Sequence, residues 1–463
     1  MHDAEALGLD STDPLARFRE RFHLLPGRIY LDGNSLGLLS RDAEAETLRA
    51  LEQWKTLGID GWLGADPPWF TLGEDLGELL APLVGAESEA VVVTGSTTVN
   101  QHALTATFYR PRGARRKIVA TALDFPSDVY ALQSLIRLHG GEPERDLILV
   151  SSRDGRTIAE EDVVAALSND VALALLPAVL YRSGQHLDIL RLAAEARVRG
   201  ISLGFDCAHS IGAVPHRFDE WGVDWAFWCS YKYLNAGPGA TGGLYVNRRH
   251  WGTAPGLAGW WGYDKAQQFD MVHAWRGAAA AGAWQISTPP LLATAPLRGS
   301  LRLFHEAGIA ALRAKSLAQT DYLARLLEET GLTAPLRGSL RLFHEAGITA
   351  LRAKSLSQTD YLARLLEETG LTAPPYDFAI GTPRLPERRG GHLAVEHEEA
   401  PRIARALKAR GIVPDFRAPN VIRLAPAPLY TSYHELWRTV QALREIVDTG
   451  EHLRLPEGRE LVA

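Results

Sequence analysis

The sequence has few cysteines, no long apolar run and no excess of positive charge. Its 463 residues include only two cysteines, Cys207 and Cys229, which excludes a disulfide scaffold and a four-cysteine zinc site. There is no uninterrupted stretch of about 18 apolar residues, so we expect no transmembrane helix. With 49 basic against 55 acidic residues, the chain offers no basic surface for nucleic acid or an anionic membrane.

The amino-terminal residues, MHDAEALGLDSTDPLARFRE, also lack the basic and apolar regions of a secretory signal peptide. Apolar residues make up 46% of the chain and charged residues 22%, which is ordinary for a globular protein. The length suggests two or three domains, or one large domain with a smaller partner. We therefore expect a soluble cytoplasmic protein, an enzyme without a metal site.

Short β-rich runs alternate with helical patterns between about residues 88 and 247. The candidate strands are 90–93, 117–120, 147–150, 171–176, 201–205, 225–228 and 243–246. Apolar strands separated by helices predict an α/β fold with a mainly parallel seven-stranded sheet between helices. Ligands of such sheets bind at the carboxyl ends of the strands.

Two proline-containing joints, at 287–290 and 372–375, suggest how the chain divides. We expect a smaller α+β domain at the carboxyl end. The predicted parts are an amino-terminal segment that packs with the small domain (1–40), a large domain (41–293), a repeated helical segment (294–371) and the small domain itself (372–463).

The repeated segment consists of two nearly identical copies, 294–332 and 333–371. They agree at 37 of 39 positions, and the two changes are Ala310 to Thr349 and Ala318 to Ser357. Solenoid repeats diverge more and need about three copies for a stable stack. We interpret the second copy as a recent duplication, and we expect an extra helical unit that is less buried than its twin.

One glycine-rich loop imitates a dinucleotide-binding fingerprint. Residues 237–242 match G-x-G-x-x-G, but that motif requires a strand before it and a helix after it. Here the following residues, GGLYVN, have the pattern of a strand. A nicotinamide oxidoreductase is therefore a weak alternative.

Lys232 lies between two aromatic residues, Tyr231 and Tyr233, after a predicted buried strand. Most lysines lie at the surface. A partly desolvated lysine, however, has a lowered pKa and can form a Schiff base. Asp206 ends another predicted strand and could cap a helix or pair with a protonated pyridine nitrogen.

Two further strand ends carry candidate ligand contacts. The segment 94–100, TGSTTVN, places small hydroxyl residues before a predicted helix, where they form either a plain N-cap or an anion site for a cofactor phosphate. The segment 124–128, DFPSD, offers an aromatic ring that could stack on a planar cofactor.

Seven motifs together resemble the kynureninase family, which belongs to the fold-type I, aspartate-aminotransferase-like enzymes that use pyridoxal 5'-phosphate (PLP). They are LDGNSLGL (31–38), DFPSD (124–128), GFDCAHSIG (204–212), SYKYLNAGPG (230–239), GWWG (259–262), ISTPP (286–290) and NVIRLAPAPLY (420–430). The resemblance runs in order from about residue 10 to 455. The duplication is not part of the family pattern.

The resemblance implies a role for each matching residue. Lys232 would hold PLP covalently and move protons, with Asp206 on the pyridine nitrogen. The other implied cofactor contacts are Thr97, Thr98, Phe125, Ser127, Asp128, His209, Tyr231, Trp260 and Thr288, of which Trp260 and Thr288 would come from the second subunit of a homodimer. The implied substrate contacts are Arg423, which would hold the α-carboxylate, Asn34 and Trp62. Tyr231 is also the candidate for proton transfer at the substrate carbonyl.

The implied reaction is hydrolysis of L-kynurenine to anthranilate and L-alanine, a step of tryptophan catabolism and of the kynurenine pathway toward NAD biosynthesis. Pro177 departs from the family, because some relatives have a hydroxyl residue there that contacts the cofactor. Two alternatives stay open. They are another fold-type I enzyme, such as a cysteine desulfurase or an aminotransferase, and a PLP-binding protein inactivated by the duplication. Trp62 and Thr288 resemble the pattern of bacterial enzymes that prefer kynurenine over 3-hydroxykynurenine, whereas Ser287 is closer to the pattern of animal enzymes, and we expect kynurenine to be the substrate.

Overall fold

The computed structural model describes residues 2–329, 370–383, 388, 392–426 and 432–456. Contacts divide the chain into two compact units. Unit 1 comprises residues 1–40, 182–186 and 303–463, and unit 2 comprises residues 41–181 and 187–302. The domain boundaries drawn from the sequence stay a prediction.

The strands lie between residues 29 and 424. In chain order they are β1 Ile29–Tyr30, β2 Val91–Val93, β3 Lys117–Thr121, β4 Leu147–Val150, β5 Val171–Pro177, β6 Ser202–Asp206, β7 Trp225–Trp228, β8 Gly243–Val246, β9 Ala379–Ile380, β10 Leu393–Glu396, β11 Ile412–Val413, β12 Asp415–Arg417 and β13 Val421–Leu424.

The helices vary in length from single turns to the long helix Ile309–Glu329. In chain order they are α1 His2–Ser11, α2 Arg41–Leu57, α3 Gly61–Gly64, α4 Leu72–Val84, α5 Thr97–Phe108, α6 Pro126–Leu138, α7 Pro143–Asp146, α8 Glu160–Ala166, α9 Ile189–Val198, α10 Phe218–Trp221, α11 Leu291–Ala307, α12 Ile309–Glu329, α13 Ala400–Ala409 and α14 Tyr433–Asp448.

Unit 2 is built on a seven-stranded sheet in the order β2-β8-β7-β6-β5-β3-β4. Strands β3 to β7 pair in parallel, and β8 runs antiparallel to both β2 and β7. The prediction of a mainly parallel sheet is confirmed. Every residue of β5 is buried, as expected of a parallel strand with both faces covered.

Large aromatic side chains fill the core of unit 2 beside the sheet. The ring of Phe108 stacks on Trp225 at a centroid distance of 5.8 Å and on Trp284 at 6.2 Å. On the neighbouring strand, a Cβ at Gly204 would lie 2.1 Å from the indole of Trp225. Gly204 therefore makes room for the indole beside the strand that ends in Asp206.

Unit 1 contains a four-stranded antiparallel sheet in the order β12-β13-β10-β9 and a parallel pair of β1 and β11. The apolar faces of α13 and α14 pack in the same core cluster as Ile422, Leu424 and Leu393. Ser432 begins α14 with a capping box completed by Glu435. The predicted small α+β domain is confirmed.

Helices α11 and α12 contain the first copy of the repeat up to residue 329. Within unit 1, Tyr322 is buried in the core, and Lys315 forms an ion pair with Asp13 at 2.5 Å. The described chain resumes at Gly370 and the buried Leu371, which correspond to positions 331 and 332 of the first copy. The second copy otherwise lies outside the described residues, as does the expectation that it is less buried.

Among the residues that the structure describes, no helix is long and apolar enough to cross a membrane. Over the same ranges, no group of three or more His, Cys, Asp or Glu side chains could hold a metal ion.

Candidate active site

Lys232 lies on a tight turn that follows β7. The amide of Ala236 donates to the carbonyl of Ser230 at 3.0 Å, and the amide of Asn235 donates to the carbonyl of Lys232 at 3.0 Å. Asn235 closes this turn in the left-handed conformation, with φ of 57°. The Nζ of Lys232 lies 2.8 Å from Nε2 of His209.

Asp206 ends β6 and brings a buried carboxylate to the same site. Its Oδ1 accepts from the amide of Ala208 at 2.8 Å. Burial raises the pKa of Asp206, whereas the charge of Lys232 lowers it. The buried carboxylate of Asp206 can therefore balance the charge of a cationic ring that binds between Asp206 and Lys232.

Asp128 supports this carboxylate from the first turn of α6. Its side chain forms a hydrogen bond with Asp206, and burial followed by the charges of Asp206 and Asp124 raises its pKa well above the usual range. This hydrogen bond favours the protonated form of Asp128 and the charged form of Asp206. The arrangement resembles two carboxyl groups that share one site and cannot both ionise.

Asp124 fixes the turn before α6. Its two carboxylate oxygens accept from the amide of Thr121 at 3.0 Å and from the hydroxyl of the same residue at 2.5 Å. Burial raises the pKa of Asp124 to about 7. The sequence had pointed to its motif without giving this residue a role, and its contacts make it a structural support of the turn that carries Phe125.

Phe125 offers a flat aromatic surface beside the lysine. It is the residue before Pro126, the first residue of α6, and it remains 40% exposed. The Nζ of Lys232 lies 6.0 Å from the centroid of its ring, and Tyr181 packs against it edge-on at 5.2 Å. Ser127 follows, half-buried in the first helical turn. A planar conjugated ligand could stack on this exposed face.

The loop between β2 and α5 has the geometry of a site that could hold an anion. Gly95 has φ of +54°, and a Cβ there would lie 2.4 Å from Oδ1 of Asn100. The Nδ2 of Asn100 donates to the carbonyl of Thr94 at 2.8 Å, which holds the loop closed. Thr97 and Thr98 begin α5, are half-buried, and present hydroxyl groups and backbone N–H groups where a helix attracts an anion.

The glycine-rich loop 237–242 packs against the loop between β2 and α5. The amide of Gly242 donates to the carbonyl of Gly95 at 3.1 Å, and the amide of Thr94 donates to Gly242 at 3.0 Å. The strand β8 follows the loop directly. A dinucleotide fingerprint would require a helix there, so the geometry does not fit a nicotinamide cofactor.

Tyr231 shares the turn with Lys232, and its side chain forms a hydrogen bond with the buried Cys229. Pro177 lies at the end of β5 and is the register partner of Asp206 on β6. Its side chain offers no hydrogen-bond donor or acceptor at this position.

Trp62, Trp260 and Thr288 lie elsewhere on unit 2, around two adjoining apolar pockets. The pockets have volumes of about 710 and 730 Å³, and both are lined by Trp62 and Thr288. Trp260 lines the second and is 43% exposed. The ring of Trp62 packs 5.4 Å from Trp261. These side chains face open apolar space.

Arg423 and Asn34 belong to unit 1. Arg423 lies on β13 and is fully buried, where Nε and Nη2 donate to Oδ2 of Asp415. Nη2 also donates to Oγ of Ser35 at 3.2 Å. With its amide oxygen turned toward the guanidinium, Asn34 accepts from Nε and Nη2 at 3.2 Å each.

Sequence reasoning had missed Ser35, Asp415 and Arg417. The available signal was the alternation Asp415-Phe416-Arg417, which places both charged side chains on one face of a strand just before the strand that carries Arg423.

Comparison with known proteins gives one consistent result. A class-V aminotransferase family model matches residues 70–373, and a kynureninase C-terminal domain model matches residues 351–443. A kynureninase of Geobacillus thermodenitrificans is 52% identical over 455 residues, covering 98% of this chain and 96% of that protein. A kynureninase of Bacillus cereus is 51% identical over 458 residues, covering 99% and 97%.

Solved structures share the fold at low sequence identity. A cysteine desulfurase from Thermococcus onnurineus is 15% identical with a TM-score of 0.72, covering 94% of this chain and 98% of that one. A C-DES variant with glycine covalently linked to its PLP cofactor is 17% identical with a TM-score of 0.71, covering 92% and 98%. These likenesses show the aminotransferase-like fold of fold-type I, and the full-length identity near one half shows that the chain belongs to the kynureninase family.

Proposed function

We propose that this enzyme hydrolyses the Cβ–Cγ bond of L-kynurenine with PLP, giving anthranilate and L-alanine. The observation that carries the proposal is the grouping of Lys232, Asp206 and Phe125 at the carboxyl ends of the strands. A lysine and a carboxylate for the pyridine nitrogen are the groups that PLP chemistry needs, and the exposed ring of Phe125 adds a surface for stacking. The family membership narrows the substrate to kynurenine.

The residues present fit PLP. The carboxylate of Asp206 is buried and matches a protonated ring nitrogen, and the α5 amino terminus with Thr97 and Thr98 suits the phosphate. Four further residues implied by the family also lie near these groups. Ser127 and Asp128 follow Phe125, His209 follows Asp206, and Tyr231 precedes Lys232. When bound, PLP supplies an electron sink that lets bonds at Cα and then at Cβ break.

Lys232 is the residue that we expect to hold the cofactor and to move protons at Cα. Its amine lies 2.8 Å from the imidazole of His209 and 6.0 Å from the centre of the Phe125 ring, so it is within reach of groups bound over that ring. Asp206 would balance a protonated ring nitrogen of the bound cofactor, and Asp128 supports Asp206 through their hydrogen bond.

Tyr231 is the candidate for proton transfer at the substrate γ-carbonyl, where water must add before the Cβ–Cγ bond breaks. It is adjacent to Lys232 on the same turn, and its hydroxyl is already hydrogen-bonded to Cys229. That contact orients the phenol and supports the assignment.

We further propose that Arg423 binds the substrate α-carboxylate, with Asn34 beside it and Trp62 near the aromatic end. A guanidinium forms bidentate, charge-assisted hydrogen bonds with a carboxylate. The pocket residues Trp62 and Thr288 favour kynurenine over 3-hydroxykynurenine, and a higher kcat/KM for the hydroxylated substrate would contradict this preference.

A homodimer with shared active sites is part of the same proposal, since Trp260 and Thr288 would reach the phosphate of the partner subunit. The apolar pockets that they line on unit 2 suit burial against a second copy. We also propose a cytoplasmic location, supported by two unpaired cysteines, and a role in tryptophan catabolism.

The test is product analysis with the full chain, PLP and L-kynurenine. We expect equimolar anthranilate and L-alanine, and no product from the Lys232→Ala variant. Sulfide from L-cysteine, or a keto acid from an amino acid, at a higher kcat/KM would favour a desulfurase or an aminotransferase. Bound PLP without any turnover would favour a protein inactivated by its duplication.

A further inference from the structure

Two arginines and two aspartates meet on one side of the small sheet of unit 1. Asp415 and Arg417 alternate along β12, so their side chains share a face. Arg423 on β13 is directly opposite Asp415 in the antiparallel register and therefore points to the same face. Asp32 follows β1 and also faces these charges.

Asp415 binds the guanidinium of Arg423 from the side. Both Nε and Nη2 donate to a single oxygen, Oδ2. The side chain of Arg423 is 1% exposed and that of Asp415 is fully buried. A guanidinium that is bound through Nε and Nη2 cannot rotate about its last bonds, so the plane of the group is fixed.

The serine hydroxyl of Ser35 ties the two arginines together. It accepts from Nη2 of Arg423 at 3.2 Å and from Nη2 of Arg417 at 3.3 Å. The Nε of Arg417 lies 3.3 Å from the same oxygen of Asp415 that binds Arg423. Two guanidinium groups thus surround the carboxylate of Asp415, and the net charge of the cluster depends on whether Asp32 is protonated.

We propose that Asp415 is the positioning residue that fixes the guanidinium plane of Arg423 for the substrate α-carboxylate. This rests on the proposed role of Arg423 in the reaction. A charge-assisted hydrogen bond to a carboxylate depends on the direction of the guanidinium N–H groups, which must lie within about 10–20° of the productive geometry, so a guanidinium with a free plane loses affinity for a carboxylate. Arg417 supplies the charge that Asp415 would otherwise cancel.

The experiment compares Asp415→Asn, Arg423→Lys and the double variant, with Asp448→Asn as the matched control. Asp448 is an exposed carboxylate of unit 1, paired with Arg444 at 3.6 Å. The probes are L-kynurenine and kynuramine, its decarboxylated analogue, which keeps the amine and the aromatic ketone but has no carboxylate to bind.

We expect Asp415→Asn to raise KM for kynurenine by about 10- to 100-fold, the range of a lost charge-assisted hydrogen bond, and kcat much less. The affinity for kynuramine should stay within about twofold, and Asp448→Asn should change neither. Because Asp415 acts through Arg423, the double variant should match Arg423→Lys alone. If Asp415 had only a structural role, its substitution would weaken the binding of both kynurenine and kynuramine. Its effect would then add to that of Arg423→Lys in the double variant.

If Asp415→Asn fails to fold, Asp415→Glu keeps the buried charge while moving the carboxylate, and it should still raise KM for kynurenine selectively. An unchanged KM in a folded Asp415 variant, when Arg423→Lys raises KM, would overturn the positioning role. An unchanged KM in Arg423→Lys would instead contradict the carboxylate assignment in the proposed function, and the present proposal with it.

Discussion

At the residue scale, the chemistry of the site depends on buried carboxyl groups whose pKa values are shifted by burial and by neighbouring charges. Asp206 and Asp128 share one site next to Lys232, and burial raises the pKa of both, so a negative charge on either carboxyl group is costly. A pyridinium opposite Asp206 would compensate this buried charge, since an unpaired one is costly.

Asp32 predicts a pH dependence of substrate binding. Burial, and then the charge of Asp415, raises the pKa of Asp32 to about 7. The charges of Arg423 and Arg417 act in the opposite direction and lower it. Tyr30 is a further titratable neighbour of Asp32. Below pH 7 Asp32 is neutral and the cluster attracts a carboxylate. As pH rises through 7, its new negative charge repels the substrate.

We therefore expect KM for L-kynurenine to rise with pH, by at most about tenfold between pH 6 and 8 for a single proton. The Asp32→Asn variant should lose this step, which a KM profile measures. The same profile in both proteins would contradict the assignment. The raised pKa also means that protonated Asp32 favours the folded state, with a contribution complete below 3.8 and lost as pH rises through about 7.

Sequence reasoning reached the turn residues of unit 2 because each follows an apolar strand or begins a helix. Asp206 and Lys232 could be located from such local patterns. The partners of Arg423 could not, because Asp415 meets it only through the register of β12 against β13, and register depends on pairing across the sheet rather than on either strand alone.

At the element scale, the repeated segment contains two copies with nearly identical side chains. Residues 294–329 of the first copy lie in helices α11 and α12 and the turn between them. Side chains of the first copy make specific contacts, such as Arg298 and Arg302 with the buried Glu46. Each of these side chains has an identical counterpart in the other copy.

We therefore predict that either copy can be removed. We expect deletion of 333–371 and deletion of 294–332 each to give a protein that binds PLP and releases anthranilate. The two products differ only at Ala310 or Thr349 and Ala318 or Ser357. An insoluble or cofactor-free product from the deletion of 333–371 would show that the second copy is structural.

The two deletion products also differ in expected stability. Ala318 packs partly buried against the core of unit 1, and Ala310 is exposed in α12. Serine and threonine are each poorer helix formers than alanine by about 0.5 kcal/mol. The product that keeps Ala310 and Ala318 should be more stable by about 1 kcal/mol, as measured by denaturant unfolding, and the opposite order would contradict the packing.

The seven strands of the large sheet were predictable because apolar runs with few polar residues, separated by helical patterns, are typical of strands buried on both faces. The short strands of unit 1 were not, since β9 and β11 contain two residues each and carry no periodic signal.

At the scale of the whole molecule, unit 2 exposes apolar side chains around its pockets. Ile59 is 77% exposed, Leu63 74% and Phe269 70%, and all three line the pocket that Trp260 also lines. A contiguous apolar surface of this kind marks an interaction site. It supports the proposed dimer.

Shared active sites predict complementation between two defective variants. Lys232→Ala removes the cofactor lysine, and Trp260→Ala removes the contact supplied to the other subunit, so a mixed dimer keeps one intact site. Coexpression of the two should restore about a quarter of the wild-type specific activity for random pairing, whereas each variant alone stays low. No recovery in a purified mixed dimer would mean that Trp260 serves the site of its own chain.

The most direct test is to find which lysine holds the cofactor. Treating the enzyme loaded with PLP with borohydride fixes the cofactor to its lysine, and peptide mapping then identifies the residue. We predict Lys232, beside Asp206 and Phe125. The competing lysine in unit 2 is Lys265, whose pKa burial lowers and whose Nζ lies 4.4 Å from the ring centroid of Trp261 and 3.4 Å from Glu74. Cofactor fixed on Lys265, or on any lysine other than Lys232, would contradict the account.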